Sequence, residues 1–203
     1  MILYACSTNP GKLKEFALAA RSLQVPDLVI EPLPQLGVVP APEENAESFE
    51  GNAESKAIYY SAFTPELVFA DDSGLEVDAL GGAPGVRSAR YAGPDATDEA
   101  NNKLLLRSLG SATERAARFV CVIALARRGE VLQTFRGAVE GEILHSPRGA
   151  NGFGYDPLFY YPPFDCSFAE LAPEQKFAVS HRGNALRALF ASLTQENFQT
   201  HFD

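Results

Sequence analysis

Residues 117–126 constrain the fold more than any other stretch of the chain. They read Ala-Arg-Phe-Val-Cys-Val-Ile-Ala-Leu-Ala. Apolar side chains fall on both faces of any strand drawn through them, so both faces need cover. That marks a central strand with layers on either side. Helical spacing supplies the layers. Leu13, Phe16, Ala17, Ala20 and Leu23 share one face over residues 12–23, and Ala100, Leu104 and Leu105 mark a second helix over 95–109. A third helix is predicted over 48–63, with Ser48 as N-cap and Glu50 in its first turn. A fourth runs from 181 to about 196, with Leu186, Leu189, Phe190 and Leu193 facing inward. Short apolar runs predict strands at 2–6, 28–30, 67–70, 75–80 and 158–161, and a short helix at 168–171. Arg127-Arg128-Gly129-Glu130 reads as a hairpin turn that returns residues 131–143 as an antiparallel partner. The expected architecture is α/β, with a long mixed sheet flanked by helices and one continuous domain over 1–203.

Charge narrows the function. The 203 residues carry 17 Lys and Arg against 26 Asp and Glu, a formal net charge of −9. Coating a nucleic-acid backbone draws its affinity from neutralised phosphates, so a polymer of that kind is excluded as partner. A small phosphorylated ligand needs only a local cluster of cations and stays open. Cys6, Cys121 and Cys166 form an odd set without metal-ligand spacing, which points to a reducing compartment, with Cys6 and Cys121 as small buried side chains. The first residues lack the basic flank of a signal peptide, and no apolar run approaches the ~18–20 residues of a membrane span. A soluble, cytoplasmic protein with no membrane partner is expected.

Several segments carry candidate chemistry. Ser7-Thr8-Asn9-Pro10-Gly11-Lys12 joins a strand to a helix, and a helix N-terminus with hydroxyls and an ammonium suits phosphate. It is not a Walker A loop, because Leu13 stands where a metal-binding hydroxyl belongs. Phe49, Asn52 and Lys56 share one helix face, and Glu43-Glu44 lies just before that helix, within reach of a metal. Asp71-Asp72-Ser73-Gly74 closes an apolar strand, where ligands of open α/β sheets gather. Adjacent carboxylates there suit Mg²⁺, and one of them suits a general base. Gly149-Ala150-Asn151-Gly152-Phe153-Gly154-Tyr155-Asp156-Pro157 lets backbone approach a flat ligand, with Phe153 placed to stack on it and Asp156 to accept from its ring N–H groups. Lys176 precedes Ser180-His181-Arg182-Gly183-Asn184, which adds two cations and an imidazole. Each of these also has a plain structural reading as a capped helix, a turn or a solvated acidic loop. His145 and His201 have no companions and receive no functional reading.

Taken together and in order, these motifs are specific. Ser7-Thr8-Asn9-x-x-Lys12, Ser48-Phe49-x-x-Asn52-Ala53-x-x-Lys56-Ala57, Asp71-Asp72-Ser73-Gly74-Leu75, Gly85-Val86-x-Ser88-Ala89-Arg90-Tyr91, Phe153-Gly154-Tyr155-Asp156-Pro157 and Ser180-His181-Arg182-Gly183 closely resemble the inosine triphosphate pyrophosphatase, or HAM1-like, family. The resemblance runs from about residue 2 to about residue 190.

The resemblance implies a two-lobed fold with a substrate cleft between the lobes, a homodimer, and Mg²⁺-dependent hydrolysis of ITP, dITP and XTP to monophosphate and pyrophosphate. It implies roles for matching residues. Ser7, Thr8, Asn9, Pro10, Gly11 and Lys12 form the triphosphate turn. Glu44 and Asp72 are metal ligands, and Asp72 is also the proton acceptor. Lys56 contacts phosphate and Ser73 the substrate. Phe153, Gly154, Tyr155, Asp156 and Lys176 hold the nucleotide, and His181 and Arg182 read the 6-keto edge of the purine. Two donors left unpaired against adenine, at ~1–3 kcal/mol each, give a discrimination on the order of 10²-fold or more. Two departures stand out: Pro10 stiffens the phosphate turn, and the proline-heavy loop at 32–42 obscures the path of Glu44. A Maf-like hydrolase of pyrimidine or modified nucleotides and a non-hydrolytic nucleotide-binding module are the competing readings. The His181-Arg182 pair argues against the first, and the intact carboxylates against the second.

Overall fold

The computed structural model describes residues 1–23, 25, 28–34 and 36–194. Its strands are β1 (Ile2–Ala5), β2 (Val29–Pro32), β3 (Leu67–Val77), β4 (Ala116–Arg127), β5 (Glu130–Ile143), β6 (Phe159–Tyr161) and β7 (Cys166–Ser167). Its α-helices are α1 (Pro10–Leu23), α2 (Phe49–Ser61), α3 (Asp98–Leu109), α4 (Pro173–Val179) and α5 (His181–Thr194). The strands form one seven-stranded sheet in the order β2-β1-β3-β4-β5-β6-β7. β1 runs parallel to both β2 and β3, whereas β6 is antiparallel to β5 and β7. The mixed α/β sheet expected from the pattern is therefore the fold. The doubly apolar run is β4, in the middle of the order, and eight of its residues in succession, Phe119 through Ala126, are buried.

The chain divides into two compact units. One comprises residues 1–72, 121–137 and 182 onward; the other comprises 73–120 and 138–181. In the first, Phe16 of α1 packs edge-on against Phe69 of β3 with ring centroids 5.0 Å apart. Leu3, Val68, Ala53, Ala57, Leu186 and Leu189 are fully buried in the same unit. In the second, Phe119, Phe159 and Phe168 form an aromatic cluster with Leu75, Leu105, Ile143 and Leu158.

Local chemistry explains most boundaries. Ser48 caps α2 by accepting from Gly51 N at 3.1 Å, as its sequence position predicts. Pro10 is the first residue of α1, where its fixed φ fits and its missing N–H costs nothing. The α1 start thus lies two residues before the predicted one. α3 starts at Asp98 rather than residue 95, because Thr97 caps it by accepting from Ala100 N at 3.2 Å. Arg128 (φ 54°) and Gly129 (φ 86°) both take left-handed backbone, which fits a two-residue turn between β4 and β5.

Three expectations need correction. The strands predicted at 67–70 and 75–80 are one strand, β3, which runs through Asp71-Asp72-Ser73-Gly74 without a turn, and residues 78–80 form a 3₁₀ turn. Tertiary pairing of the carboxylates overrides the turn propensity of that polar run. Gly81-Gly82-Ala83-Pro84-Gly85 reads as the opening of a glycine-rich loop, but residues 85–90 form a 3₁₀ helix. Periodicity predicts no helix at α4, because it is short and opens on Pro173. The predicted end of the last helix, at Gln195 and Glu196, lies outside the described residues, as does His201.

Gly141 of β5 sits where a side chain has no room. A Cβ there would meet Tyr160 O and come 2.6 Å from the Phe159 ring. We expect Gly141→Ala to cost about 1–3 kcal/mol in urea denaturation, the usual range for overpacking. An unchanged midpoint would show that β5 and β6 separate easily at this point.

Candidate active site

The site of the first unit begins where β1 stops. Cys6 N donates to Phe69 O at 2.9 Å, so β1 and β3 run together up to this level. Beyond it β1 turns away and β3 continues through Asp71 and Asp72. The crevice outside the carboxyl end of β1, between neighbours β2 and β3, is the switch point of the sheet. The carboxylates therefore lie mid-strand, beside the end of β1, and not at the end of their own strand as predicted.

The turn after β1 is a capping device. Ser7 Oγ accepts from Asn9 N at 3.3 Å, and Asn9 Oδ1 accepts from Lys12 N at 3.1 Å. These bonds set Lys12 in the first turn of α1, with Thr8, Asn9 and Pro10 exposed before it and Gly11 within the helix. The Lys12 ammonium lies 2.9 Å from Asp71 Oδ2.

Consecutive strand residues face opposite ways, so Asp71 and Asp72 have different surroundings. Asp71 is 3% exposed. Its Oδ2 accepts from Arg182 Nε at 3.3 Å and Nη2 at 3.2 Å as well as pairing with Lys12, and Cys121 Sγ lies 3.9 Å away. Arg182 Nη1 donates to Glu15 Oε2. Burial pushes the Asp71 carboxyl up, but Lys12, Arg182 and then Lys56 outweigh it and hold the group well below the usual carboxylate range. Asp72 faces α2. Its Oδ2 accepts from Asn52 Nδ2 at 3.0 Å, and its Oδ1 lies 3.5 Å from Lys56 Nζ. Burial raises its carboxyl above the ordinary value, and Lys56 and Asn52 only partly offset that. The Lys56 ammonium also bonds Glu44 Oε1 at 2.8 Å. Asn52 closes the arrangement by accepting from Ala46 N at 3.0 Å, which anchors the loop that carries Glu44.

Two carboxylates of this set differ in basicity for stated reasons. Asp71 is locked by two cations. Asp72 is the more basic and shares one ammonium with Glu44. A proton acceptor near neutral pH is better served by Asp72. Glu44, Lys56 and Asp72 converge despite the proline-rich loop, because Asn52 and Lys56, one turn apart on α2, hold both ends.

Among the described residues, no group of three or more His, Cys, Asp and Glu forms a metal cage. Mg²⁺ does not require one: it takes one or two carboxylates and keeps waters and substrate phosphates. Glu44 and Asp72, already gathered around one cation, fit such a donor set.

The second unit holds the other motif residues. Asp156 is 2% exposed and Lys176 6%. Asp156 Oδ2 accepts from Phe153 N at 2.9 Å and from Lys176 Nζ at 2.5 Å. The ammonium stands 4.8 Å from the centre of the Phe153 ring. Tyr155 Oη donates to Ser88 O at 2.8 Å. Ser73 follows Asp72 on β3 and opens this unit. His181 stacks on Phe119 at 4.7 Å and is buried.

Arg182 Nε, Nη1 and Nη2 each donate to a carboxylate of the first unit, and the residue is 2% exposed. It is a strut under Asp71. Glu15, its counter-ion, escaped the sequence reading; its i, i+3 spacing from Lys12 was the signal. The bracket role of Asn52 was legible only as a face shared with Lys56.

With this geometry in view, the comparisons are specific. The Ham1 family model matches residues 3–192. A dITP/XTP pyrophosphatase of Exiguobacterium sp. is 49% identical over 195 residues, which is 95% of this chain and 97% of that one. The dITP/XTP pyrophosphatase of Staphylococcus aureus is 44% identical over 190 residues, 94% and 95% of the two chains. The solved Ham1 protein of Staphylococcus aureus superposes with a TM-score of 0.84 at 43% identity, over 95% of this chain and 98% of that chain. A HAM1 protein of Coxiella burnetii gives 0.86 at 41%, over 96% and 98%.

The buried ion triad yields a stability test. The Asp71 carboxyl sits lower in the folded chain than in the unfolded one, so its contribution is present above the unfolded value and lost as pH falls through the folded one. Arg182→Met leaves Asp71 and Glu15 without their guanidinium. We expect it to cost about 3–5 kcal/mol at pH 7. The deficit should shrink toward pH 3.5, because the variant's carboxyls, deprived of the guanidinium, take up protons there while the wild-type Asp71 is still ionised. Urea titrations at the two pH values measure this, and a deficit independent of pH would contradict the triad's role.

Proposed function

The chain belongs to the Ham1 family, and on that premise we propose that it hydrolyses non-canonical purine nucleoside triphosphates, ITP, dITP and XTP, to the monophosphate and pyrophosphate. The observation that carries this reading is the pairing of a buried, basic carboxylate with ammonium groups on the neighbouring segments: Asp72 with Lys56, and Lys12 on the turn beside it. A triphosphate requires cations, and its hydrolysis requires a proton acceptor. Both stand in one unit, on α1, α2 and β3. The proposed consequence is removal of deaminated purines from the nucleotide pool.

The roles follow from position. Ser7 to Lys12 receive phosphate oxygens at the N-terminus of α1, where hydroxyls, an ammonium and the positive dipole end coincide. Lys56, released from Glu44 as phosphate enters, neutralises a second phosphate. Glu44 and Asp72 would hold Mg²⁺, which when bound neutralises charge on the triphosphate. Asp72 takes the proton of the attacking water. Its raised carboxyl makes it a better acceptor than Asp71, which Lys12 and Arg182 hold ionised. Asp71 keeps Lys12 in place. In the second unit, Phe153, Gly154, Tyr155, Asp156 and Lys176 serve the nucleoside end, Ser73 contacts substrate, and His181 supplies the donor to the 6-keto oxygen. A homodimer in the cytoplasm completes the proposal. No helix of the described residues is long and apolar enough to cross a membrane.

The test is pyrophosphate release over a panel of ITP, XTP, dITP, ATP, GTP, UTP and dTTP, with and without Mg²⁺. ITP and XTP are expected to lead, with release dependent on the metal. Asp72→Asn, which keeps the shape and the bond from Asn52, is expected to lower kcat on the order of 10³-fold or more with its melting temperature near wild type, beyond the 10²–10⁴ range typical of a general base only where metal binding is lost too. A preference for UTP or dTTP would move the chain to pyrimidine chemistry. ITP binding without turnover would make it a nucleotide-binding module.

A further inference from the structure

Both backbone polar groups of one loop residue, Gly154, are gripped by one helix. Gly154 N donates to Asp98 Oδ2 at 2.6 Å, and Asn102 Nδ2 donates to Gly154 O at 2.9 Å. Asp98 is the first residue of α3, and Asn102 stands one turn later on the same face. Gly154 has φ +62°, a left-handed conformation in which glycine has the widest freedom to move. On either side of it stand Phe153, whose N–H donates to Asp156 Oδ2, and Tyr155, whose hydroxyl donates to Ser88 O. The same helix holds a second loop. Asn101 Oδ1 accepts from Ala92 N at 2.8 Å and its Nδ2 donates to Ala89 O at 3.1 Å. Ser88 in that loop accepts from Leu75 N at 2.9 Å. All these groups belong to the second unit.

We propose that Asp98 and Asn102 are positioning residues that fix the nucleotide loop at 152–156 through Gly154, and so set nucleotide affinity. The inference rests on the reading above, which gives Phe153 to Asp156 to the nucleoside end. Three features favour a positioning role over ordinary packing. The two side chains bond backbone of the one residue in the loop whose φ is least restrained by its own side chain. The bonds fix the two peptide planes on either side of Gly154, those joining it to Phe153 and to Tyr155. And the grip does not pass through the carboxylates of the first unit, so it acts on nucleotide binding and not on proton transfer.

Asn102→Leu removes the donor, keeps a side chain of similar length and raises helix propensity. It is expected to raise KM for ITP about tenfold, the worth of one hydrogen bond. Turnover at saturation should stay within about twofold and the melting temperature close to wild type. Asp98→Ala should do the same, and Asp98→Asn, which keeps an acceptor for Gly154 N, should restore KM. Backbone hydrogen exchange of peptides covering 149–158 is expected to quicken in Asn102→Leu and Asp98→Ala. Unchanged KM in both variants, a loss confined to kcat, or failure of Asp98→Asn to rescue would overturn the assignment. Unchanged exchange at 149–158 would overturn it without reference to activity. Absence of pyrophosphate release by the wild type is a different failure: it would remove the proposed reaction, and the exchange measurement would still decide the clamp.

Discussion

Asp71 is a carboxylate that water does not reach, and the geometry of the first unit depends on how it is neutralised. Leaving such a charge unpaired would cost several kcal/mol. Its partners come from far apart in the chain: Lys12 from the first turn of α1, and Arg182 from the first turn of α5. Both helices must therefore pack on β3 in one register for the ions to meet. Glu15 then balances Arg182 and ties α1 to α5 a second time. Apolar packing of Phe16 on Phe69 makes α1 adhere to the strand; the ions specify where. Hydrophobic replacement of a buried ion set often matches its stability, but here it would not deliver an ammonium beside the end of β1.

That arrangement frees the neighbouring carboxylate for chemistry. Strand alternation sends Asp72 to the opposite face, where one amide and one shared ammonium are its partners. Adjacent aspartates thus acquire opposite pKa shifts from one strand: Lys12 and Arg182 overcome burial at Asp71, while burial prevails at Asp72. Separating two carboxylates in this way divides the roles of fixed charge and proton acceptor. Asn52 does for the loop at 43–46 what Arg182 does for α5, bonding Ala46 N with one end of its amide and Asp72 with the other.

The legible parts of the sequence are those governed by local rules. The cap at Ser48, the doubly buried β4 and the turn at Arg128-Gly129 follow from propensity and periodicity alone. The site motifs are legible as a constellation, since six of them occur in one order. The unread parts depend on partners distant in sequence. Asp71-Asp72-Ser73-Gly74 has turn composition, and only cations 59 or more positions away, or on another helix, keep it extended; the contact of Asp71 with Arg182 spans 111 residues. Glu15 looks like any surface acid of an amphipathic helix until Arg182 is placed beside it. Helix α4 is too short for periodicity to register, and its Lys176 is recognisable only by motif. The net charge of −9 has the same limit: it counts Asp71, Asp72, Glu15 and Glu44 as surface acids, yet each faces a cation inside the unit.

The pairing of Arg182 with two carboxylates bears on base selection. Two donors aimed at a 6-keto oxygen would supply a discrimination against adenine on the order of 10²-fold or more. Arg182 already donates one N–H from each of its three nitrogens to Asp71 or Glu15, so on the proposed reading its turning to a purine has to extend or exchange those bonds. A single unpaired donor is worth ~1–3 kcal/mol, or roughly 5–150-fold at ~1.4 kcal/mol per tenfold. On the proposed reading, the remaining selectivity has to come from fit in the second unit. There the Lys176–Asp156 pair holds Phe153 N–H and covers its ring. A loop built this way discriminates only if it is rigid, because a mobile one reshapes to accept the wrong base. The grip of α3 on Gly154 supplies that rigidity at the residue least able to provide its own.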